Sequence, residues 1–247
     1  MKVLALDTTT RAGSAALVLD DRIVDERSGD GARTHALRLP GELLALADAN
    51  GWRLSDVDLY AVASGPGSFT GLRIGIATLQ GLALVNGRRI VAVPVLEALA
   101  HAAAADVPDD AVIAVWMDAN RHDVFAALYR VTVASAGAWS TLVEVEGPSV
   151  GSPVVTLARW RERGDGSPAV FVGDGAALYA ADIAKDSPSA RVLPSPLLAG
   201  VIGRLAIARA GDALEPSTVR PLYVRRPDVE ITRDEKLRAT DSRSKHT

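Results

Sequence analysis

The stretch Ser64-Gly65-Pro66-Gly67-Ser68-Phe69-Thr70-Gly71-Leu72-Arg73-Ile74-Gly75 is where residue types and spacing first suggest chemistry. Gly65, Gly67 and Gly71 can take positive φ without steric cost, and with Pro66 they make a tight, preformed turn. The turn leads into an apolar segment, so Ser68 or Thr70 can cap the free N–H groups of a helix, and helix N-termini favour anions. An ordinary strand–turn–helix corner is the other reading. A phosphate loop of the G-x-x-x-x-G-K-[ST] kind needs Lys after its last glycine, but Leu72 follows Gly71. A serine nucleophile elbow needs G-x-S-x-G, and Gly67-Ser68-Phe69-Thr70-Gly71 does not supply it. A helical metal site needs two imidazoles four residues apart on one face. Leu39 stands four residues after His35, and His101, His122 and His246 are scattered. His35, near a helix start, reads as a surface or capping residue.

The elements that must position these residues follow from hydrophobic patterning. Val3–Asp7 reads as a buried strand ending on a carboxylate, Ser14–Leu19 as a second strand and Arg22–Arg27 as a third, with Asp20-Asp21 as the hairpin turn. Leu37, Leu39, Leu43, Leu44, Leu46 and Ala47 fall near helical spacing, and Asn50-Gly51 ends that helix. Val57–Ala63 is a strand, Leu72–Val85 a helix, Ile90–Val93 a strand and Val95–Ala105 a helix. After the polar stretch Asp106-Val107-Pro108-Asp109-Asp110 the order begins again. Strands are expected at 111–117, 124–133 and 139–145, a helix at 156–163, a strand at 169–172 and a helix at 176–183. A short strand at 191–193 and a helix at 197–210 follow.

Composition narrows the class. The chain has 247 residues, 48% hydrophobic and 23% charged, as a folded protein has. Aromatic residues make up only 4%, so Ala, Val, Leu and Ile must build the core. With zero cysteines there is no disulfide, thiolate metal site or cysteine nucleophile, which fits a reducing compartment. No apolar run suits a leader peptide or a membrane span, so a cytoplasmic protein is expected. A net charge of −3 predicts no broad grip on nucleic acid.

Two βββαβα lobes side by side make the α/β, ribonuclease-H-like duplicated architecture of the actin, sugar-kinase and Hsp70 group. The expected divisions are a first lobe at 1–105, a second at 106–195, and a C-terminal helix and extension at 196–226 packing back toward the first lobe. A charged tail at 227–247, nearly devoid of large apolar residues, is expected to be disordered. In the actin-like group the position of Asp7-Thr8-Thr9-Thr10 carries a phosphate-contacting hairpin and a Mg²⁺-orienting Asp. A working ATP site also needs a second phosphate loop and an adenosine loop with paired glycines. This chain offers Asp118-Ala119-Asn120 and Val172-Gly173-Asp174-Gly175-Ala176-Ala177. An anion would be repelled by Asp118 unless a cation intervened. Asp7, Thr8, Thr9 and Thr10 are therefore read as a vestigial nucleotide loop, with Asp7 a capped strand end.

Leu4-Ala5-Leu6-Asp7-Thr8-Thr9-Thr10, the Ser64–Gly75 stretch, Gln80-Gly81-Leu82-Ala83 and Pro221-Leu222-Tyr223-Val224-Arg225 together resemble the bacterial TsaB (YeaZ) family. The resemblance runs from Met1 to about Arg226 and is densest in the first lobe. At Met117-Asp118-Ala119-Asn120-Arg121 the family usually has Asp-Ala-Arg, whereas here Asn120 precedes the Arg. The resemblance implies a non-catalytic subunit that binds and stabilises TsaD, the paralogue that joins threonylcarbamoyl from its adenylate to N6 of adenosine 37 in ANN-decoding tRNAs. TsaE, an ATPase, would complete the assembly, and tRNA would be reached only through the complex. A homodimer through the first-lobe helices would form when TsaD is absent. The resemblance implies no cofactor, metal or catalytic residue of the chain's own, and it is compatible with weak nucleotide binding. The paralogue holds its metal by a His-x-x-x-His pair that the helix beginning at Thr34-His35 lacks. The alternative is a stand-alone actin-fold enzyme, either ATP-dependent or a glycoprotease-like metallopeptidase.

A binding role also has a physical reading. The Leu72–Val85 helix is apolar on nearly every face and must be buried on more than one side. It is either sandwiched inside a monomer or completed by a second subunit. Gly75, Thr78 and Gly81, with Ala77, permit close approach of another helix. The expected partner-binding residues are Leu39, Leu43 and Ala47 of the first helix, beside Leu72, Arg73, Ile74, Gly75, Thr78, Leu79, Gly81 and Leu82. A charge at Gly75 or Thr78 is expected to weaken the association.

Overall fold

The computed structural model describes residues 1–132 and 141–225. The first lobe runs β1 (Lys2–Asp7), β2 (Ser14–Leu19), β3 (Arg22–Ser28), α1 (His35–Ala49), β4 (Leu59–Gly65), α2 (Phe69–Asn86), β5 (Arg89–Pro94) and α3 (Val95–Ala103). The second runs β6 (Val112–Asp118), β7 (Val124–Thr132), β8 (Thr141–Gly151), α4 (Pro153–Arg163), β9 (Val170–Val172), α5 (Asp174–Leu178), α6 (Ala180–Asp186) and β10 (Arg191–Leu193). A last helix, α7 (Ala199–Ala208), follows. The sheet orders are β3-β2-β1-β4-β5 and β10-β9-β6-β7-β8. Numbered within its own lobe, each sheet runs third, second, first, fourth, fifth strand. The first three strands of each lobe pair antiparallel, and the rest pair parallel. The chain is thus the duplicated α/β fold expected of two ribonuclease-H-like lobes.

Period-two alternation sorts the side chains into three cores. Leu4 and Leu6 of β1, with Leu17, Tyr60 and Val62, meet Leu39, Leu43, Leu46 and Ala47 of α1 and Ile76, Leu79 and Ala83 of α2. Val3 and Ala5 point the other way, into a core shared with α3, α7 and one face of the second sheet through Ile113, Val115 and Met117. The opposite face of that sheet, with Trp116 and Phe171, packs on Leu157 and Trp160 of α4. The layers therefore run α1/α2, first sheet, α3/α7, second sheet, α4 with α5 and α6. Strands covered on both sides read as continuous apolar runs.

α7 lies on the first sheet, where a Cβ on Gly203 would come within 2.6 Å of Val18. The hydroxyl of Ser14 accepts from the N–H groups of Leu198 (3.2 Å) and Ala199 (3.0 Å), and Glu26 accepts from Gly200 N at 2.8 Å. A serine and a carboxylate thus satisfy donors that the helix start leaves free.

Two elements differ from the sequence expectation. The helix expected at 176–183 is two short helices, because Tyr179 (φ −107°, ψ 26°) leaves helical geometry while packing on the third core. The strand expected to end at Val145 continues to Gly151 past Gly147-Pro148. β8 is an edge strand whose pairing with β7 shifts register between Ala126 and Leu128, so a proline is tolerated there. The expected strand start at Trp139 and the tail at 227–247 lie outside the described residues.

Candidate functional site

The glycine turn is packed against the loop that follows β1. Ser68 caps α2 by accepting from Gly71 N at 3.2 Å, and Ser68 N donates to Thr9 O at 2.8 Å. Gly65 takes φ 114°, a conformation that favours glycine. Gly71 does not take positive φ as expected. It sits in the first turn of α2, where a Cβ would lie 2.1 Å from the carbonyl oxygen of Thr8. Gly75, one turn on, would meet Thr8 Oγ1 at 2.1 Å. Both glycines serve the close approach of α2 to residues 8 and 9.

The Asp7-Thr8-Thr9-Thr10 loop is consequently folded in on itself. Asp7, Thr8 and Thr9 are buried. Asp7 Oδ1 accepts from Thr9 N at 2.8 Å and from Thr9 Oγ1 at 2.6 Å. Burial pushes the Asp7 carboxyl up, the Thr9 hydrogen bonds oppose that, and the charge of Asp174 across the cleft adds to it. On the second-lobe side, Asp174 Oδ1 accepts from Asp118 N at 3.0 Å and Gly175 N at 2.9 Å, and Asp118 Oδ1 accepts from Asn120 N at 2.8 Å. Burial raises the Asp174 carboxyl as well. The charge of Asp174 thus reaches the desolvated Asp7 from the opposite lobe, and one oxygen of each carboxyl already accepts hydrogen bonds from its own lobe.

His35 is neither a surface nor a capping residue. It is buried, with Nε2 3.0 Å from Thr10 O and Nδ1 2.8 Å from Arg38 Nη2. Since the guanidinium can only donate, Nδ1 accepts and the ring proton sits on Nε2, facing the carbonyl. Burial, followed by the Arg38 charge, lowers the histidine's pKa, so the ring stays neutral. Arg38 is itself buried, pairing with Glu42 and donating to the carbonyl of Ala12. This pair ties α1 to the loop ahead of β2. Among the described residues no group of three or more His, Cys, Asp or Glu side chains is placed to hold a metal ion.

The expected partner-binding residues divide in two. Leu39, Leu43, Ala47, Leu72, Gly75 and Leu79 lie inside the lobe, so they form no outward stripe. The reason is the sheet beneath: α1 and α2 both lie on it and turn these side chains inward. Ile74, Thr78 and Leu82 are half-buried, while Arg73 and Gly81 are exposed. The outward apolar surface comes instead from Leu37 (70% exposed) and Leu44 (50%) on α1, and from Leu84 (74%) and Val85 (85%) on α2. At helical spacing from Leu84 and Val85, Ala77 and Gly81 are also exposed, and nothing lies within 4 Å of the position a Cβ on Gly81 would take. Large apolar side chains flanking small ones form a surface into which another helix can settle.

A family model described as TsaD, tRNA N6-adenosine threonylcarbamoyltransferase, matches residues 29–192. A protein of Mycobacterium leprae is 33% identical over 238 residues, covering 94% of this chain; the chain spans 57% of that protein's length. The tRNA threonylcarbamoyladenosine biosynthesis protein TsaB of Bacillus subtilis is 30% identical over 181 residues, covering 72% of this chain and 73% of its own. The chain belongs to the TsaB family. Among solved structures, YeaZ from Pseudomonas aeruginosa superposes with a TM-score of 0.69 at 29% identity, over 90% of this chain and 99% of that one. This TsaB-family chain has no helix, among the described residues, long and apolar enough to cross a membrane.

Two features of the surface were not singled out from the sequence. Leu37 and Leu44, seven residues apart, share one face, and that spacing is the signal that would have found them. The second is a stack at the exposed start of α2. The Arg73 guanidinium lies 3.8 Å from the Phe69 ring centre, and the Phe69 ring lies 5.2 Å from that of Tyr223. No local pattern predicts a contact between residues so distant in the chain.

Proposed function

We propose that this chain serves threonylcarbamoyladenosine formation in tRNA as a non-catalytic subunit, docking a TsaD-like paralogue on the outward face of α1 and α2. The observation that carries the reading is a contrast within one lobe. The turn that could have cradled phosphate is filled by the chain's own Thr8 and Thr9, while the far side of the same helix presents Leu84, Val85 and the bare Gly81. A standard interface buries on the order of 1,600 Å² in total, and two helices opposite two helices supply an area of that class. Because the face is apolar and nearly uncharged, a second copy can occupy it when the paralogue is absent. A TsaE-like ATPase completes the assembly, and tRNA is reached through the complex, in keeping with the net charge of −3. The chain itself needs no cofactor in this role.

The test is reconstitution with components omitted in turn. Chain, paralogue and ATPase are mixed with tRNA, ATP, threonine-derived adenylate and Mg²⁺, and modified nucleoside is quantified. Modification that requires the chain, together with a chain that turns over no ATP alone, supports the reading. Full modification without the chain overturns it.

A further inference from the structure

We propose that residues 221–225 form a strap that couples the exposed start of α2 in the first lobe to the β6–β7 hairpin in the second. Four of its five residues, 222–225, each have a separate anchor. Leu222 N donates to Ser64 O at 2.7 Å, fixing the strap to the glycine turn. Tyr223 stacks on Phe69, and its hydroxyl accepts from Arg73 Nε at 3.0 Å. Val224 packs on the central core. Arg225 then crosses to the second lobe, where Nη1 donates to Ala119 O at 2.7 Å and Nη2 pairs with the Asp123 carboxylate. Four consecutive residues therefore bridge both walls of the cleft.

The far anchor is a turn under conformational strain. Asn120, Arg121 and His122 all have positive φ, at 56°, 57° and 64°. Three successive non-glycine residues in this region are disfavoured and persist only where the surroundings hold them. Ala119 N donates to Asp123 O and Asp123 N to Asn120 O, both at 3.0 Å. Arg225 grips the two residues that bracket the strained tip, so releasing it removes both of these contacts. The near anchor is exposed: Phe69 is 42% and Tyr223 39% accessible. A protein covering that end of α2 would hold the strap down, whereas one displacing Tyr223 would loosen the hairpin about 100 residues away in sequence. This consequence for docking rests on the function proposed above, but the strap itself does not.

Amide hydrogen exchange on the full isolated chain tests the coupling in both directions. In Tyr223→Ala, whose described contacts are all in the first lobe, exchange across 119–124 should rise at least about threefold. In Arg225→Ala, exchange across 72–76 should rise by a comparable factor. Arg225→Lys, which keeps the charge but loses the forked donor, should give a smaller rise. Tyr223→Phe, which removes only the hydroxyl, keeps the test open should the alanine variant fold poorly. Exchange that changes only at the mutated end in these variants overturns the strap. Coupling that survives in a chain unable to bind the paralogue would count against the docking reading alone.

Discussion

Two glycines on α2 give opposite answers to the same substitution. At Gly71 an added methyl group would lie 2.1 Å from the backbone oxygen of Thr8, where ordinary contact begins at 3.4 Å. Either α2 or the residue 7–10 loop must retreat by more than an ångström, yet Asp7 and Ser68 hold that loop through three hydrogen bonds and a helix cap. Overpacking of a fixed site costs about 1–3 kcal/mol or more. The helix-propensity gain from Gly to Ala offsets at most about 1 kcal/mol of that. Gly71→Ala should therefore destabilise the chain by roughly 2 kcal/mol, a fall of about 4–8 °C in melting temperature for a protein of this size. Gly81→Ala meets nothing within 4 Å and should gain about 0.5–1 kcal/mol, a rise of about 1–4 °C. Thermal and urea unfolding of the two single variants measure the difference. A neutral or stabilised Gly71→Ala would mean that the loop after β1 does not lie against α2, and the account of a closed cleft would fail.

Other predictions follow from the same contrast between a filled cleft and an open face. Leu84→Asp changes an exposed position and should alter the chain's own stability by less than about 0.5 kcal/mol. In a docked complex the carboxylate would be buried without a partner, so affinity for the paralogue should fall on the order of 100-fold, or several kcal/mol, by titration calorimetry; unchanged affinity would remove α2 from the interface. Asp174→Asn keeps the acceptor for Asp118 N and Gly175 N but removes a buried charge. Burial raises this carboxyl above its ordinary 3.8. As pH rises past that value the unfolded chain ionises first, so native stability from this group falls and stays lower above the folded-state pKa. The Asn variant should accordingly match wild type near pH 3 and melt higher at neutral pH; a lower neutral melting temperature would contradict the assignment.

How much was legible in the sequence differs by level. β2 at Ser14–Leu19 and β10 at Arg191–Leu193 have the bounds read from the sequence, because turn residues flank short β-rich runs. The repeated element order suffices for the fold class, since the same strand order recurs in both sheets. Facing was harder. Apolar residues almost surround α2, so periodicity alone could not say that Leu72 and Leu79 turn inward while Leu84 and Val85 turn outward. On α1 the charged Arg38 sits on the buried face because loop carbonyls and Glu42 satisfy it, and that hid the register from a polar-out reading. Gly71 looked like a turn residue, and only the proximity of Thr8 shows what it is for. Such long-range contacts, like that of Phe69 with Tyr223, leave no local trace.

The most direct measurement compares three versions of the chain in tRNA threonylcarbamoylation with the paralogue and the ATPase present. Wild type and Asp174→Asn should support equal modification, since the proposed role leaves the cleft no chemistry. The double variant Leu44→Asp, Leu84→Asp should be folded yet fail, because the proposed role makes the outward face of α1 and α2 the working surface. A cleft variant that abolishes modification while the face variant retains it would contradict the account.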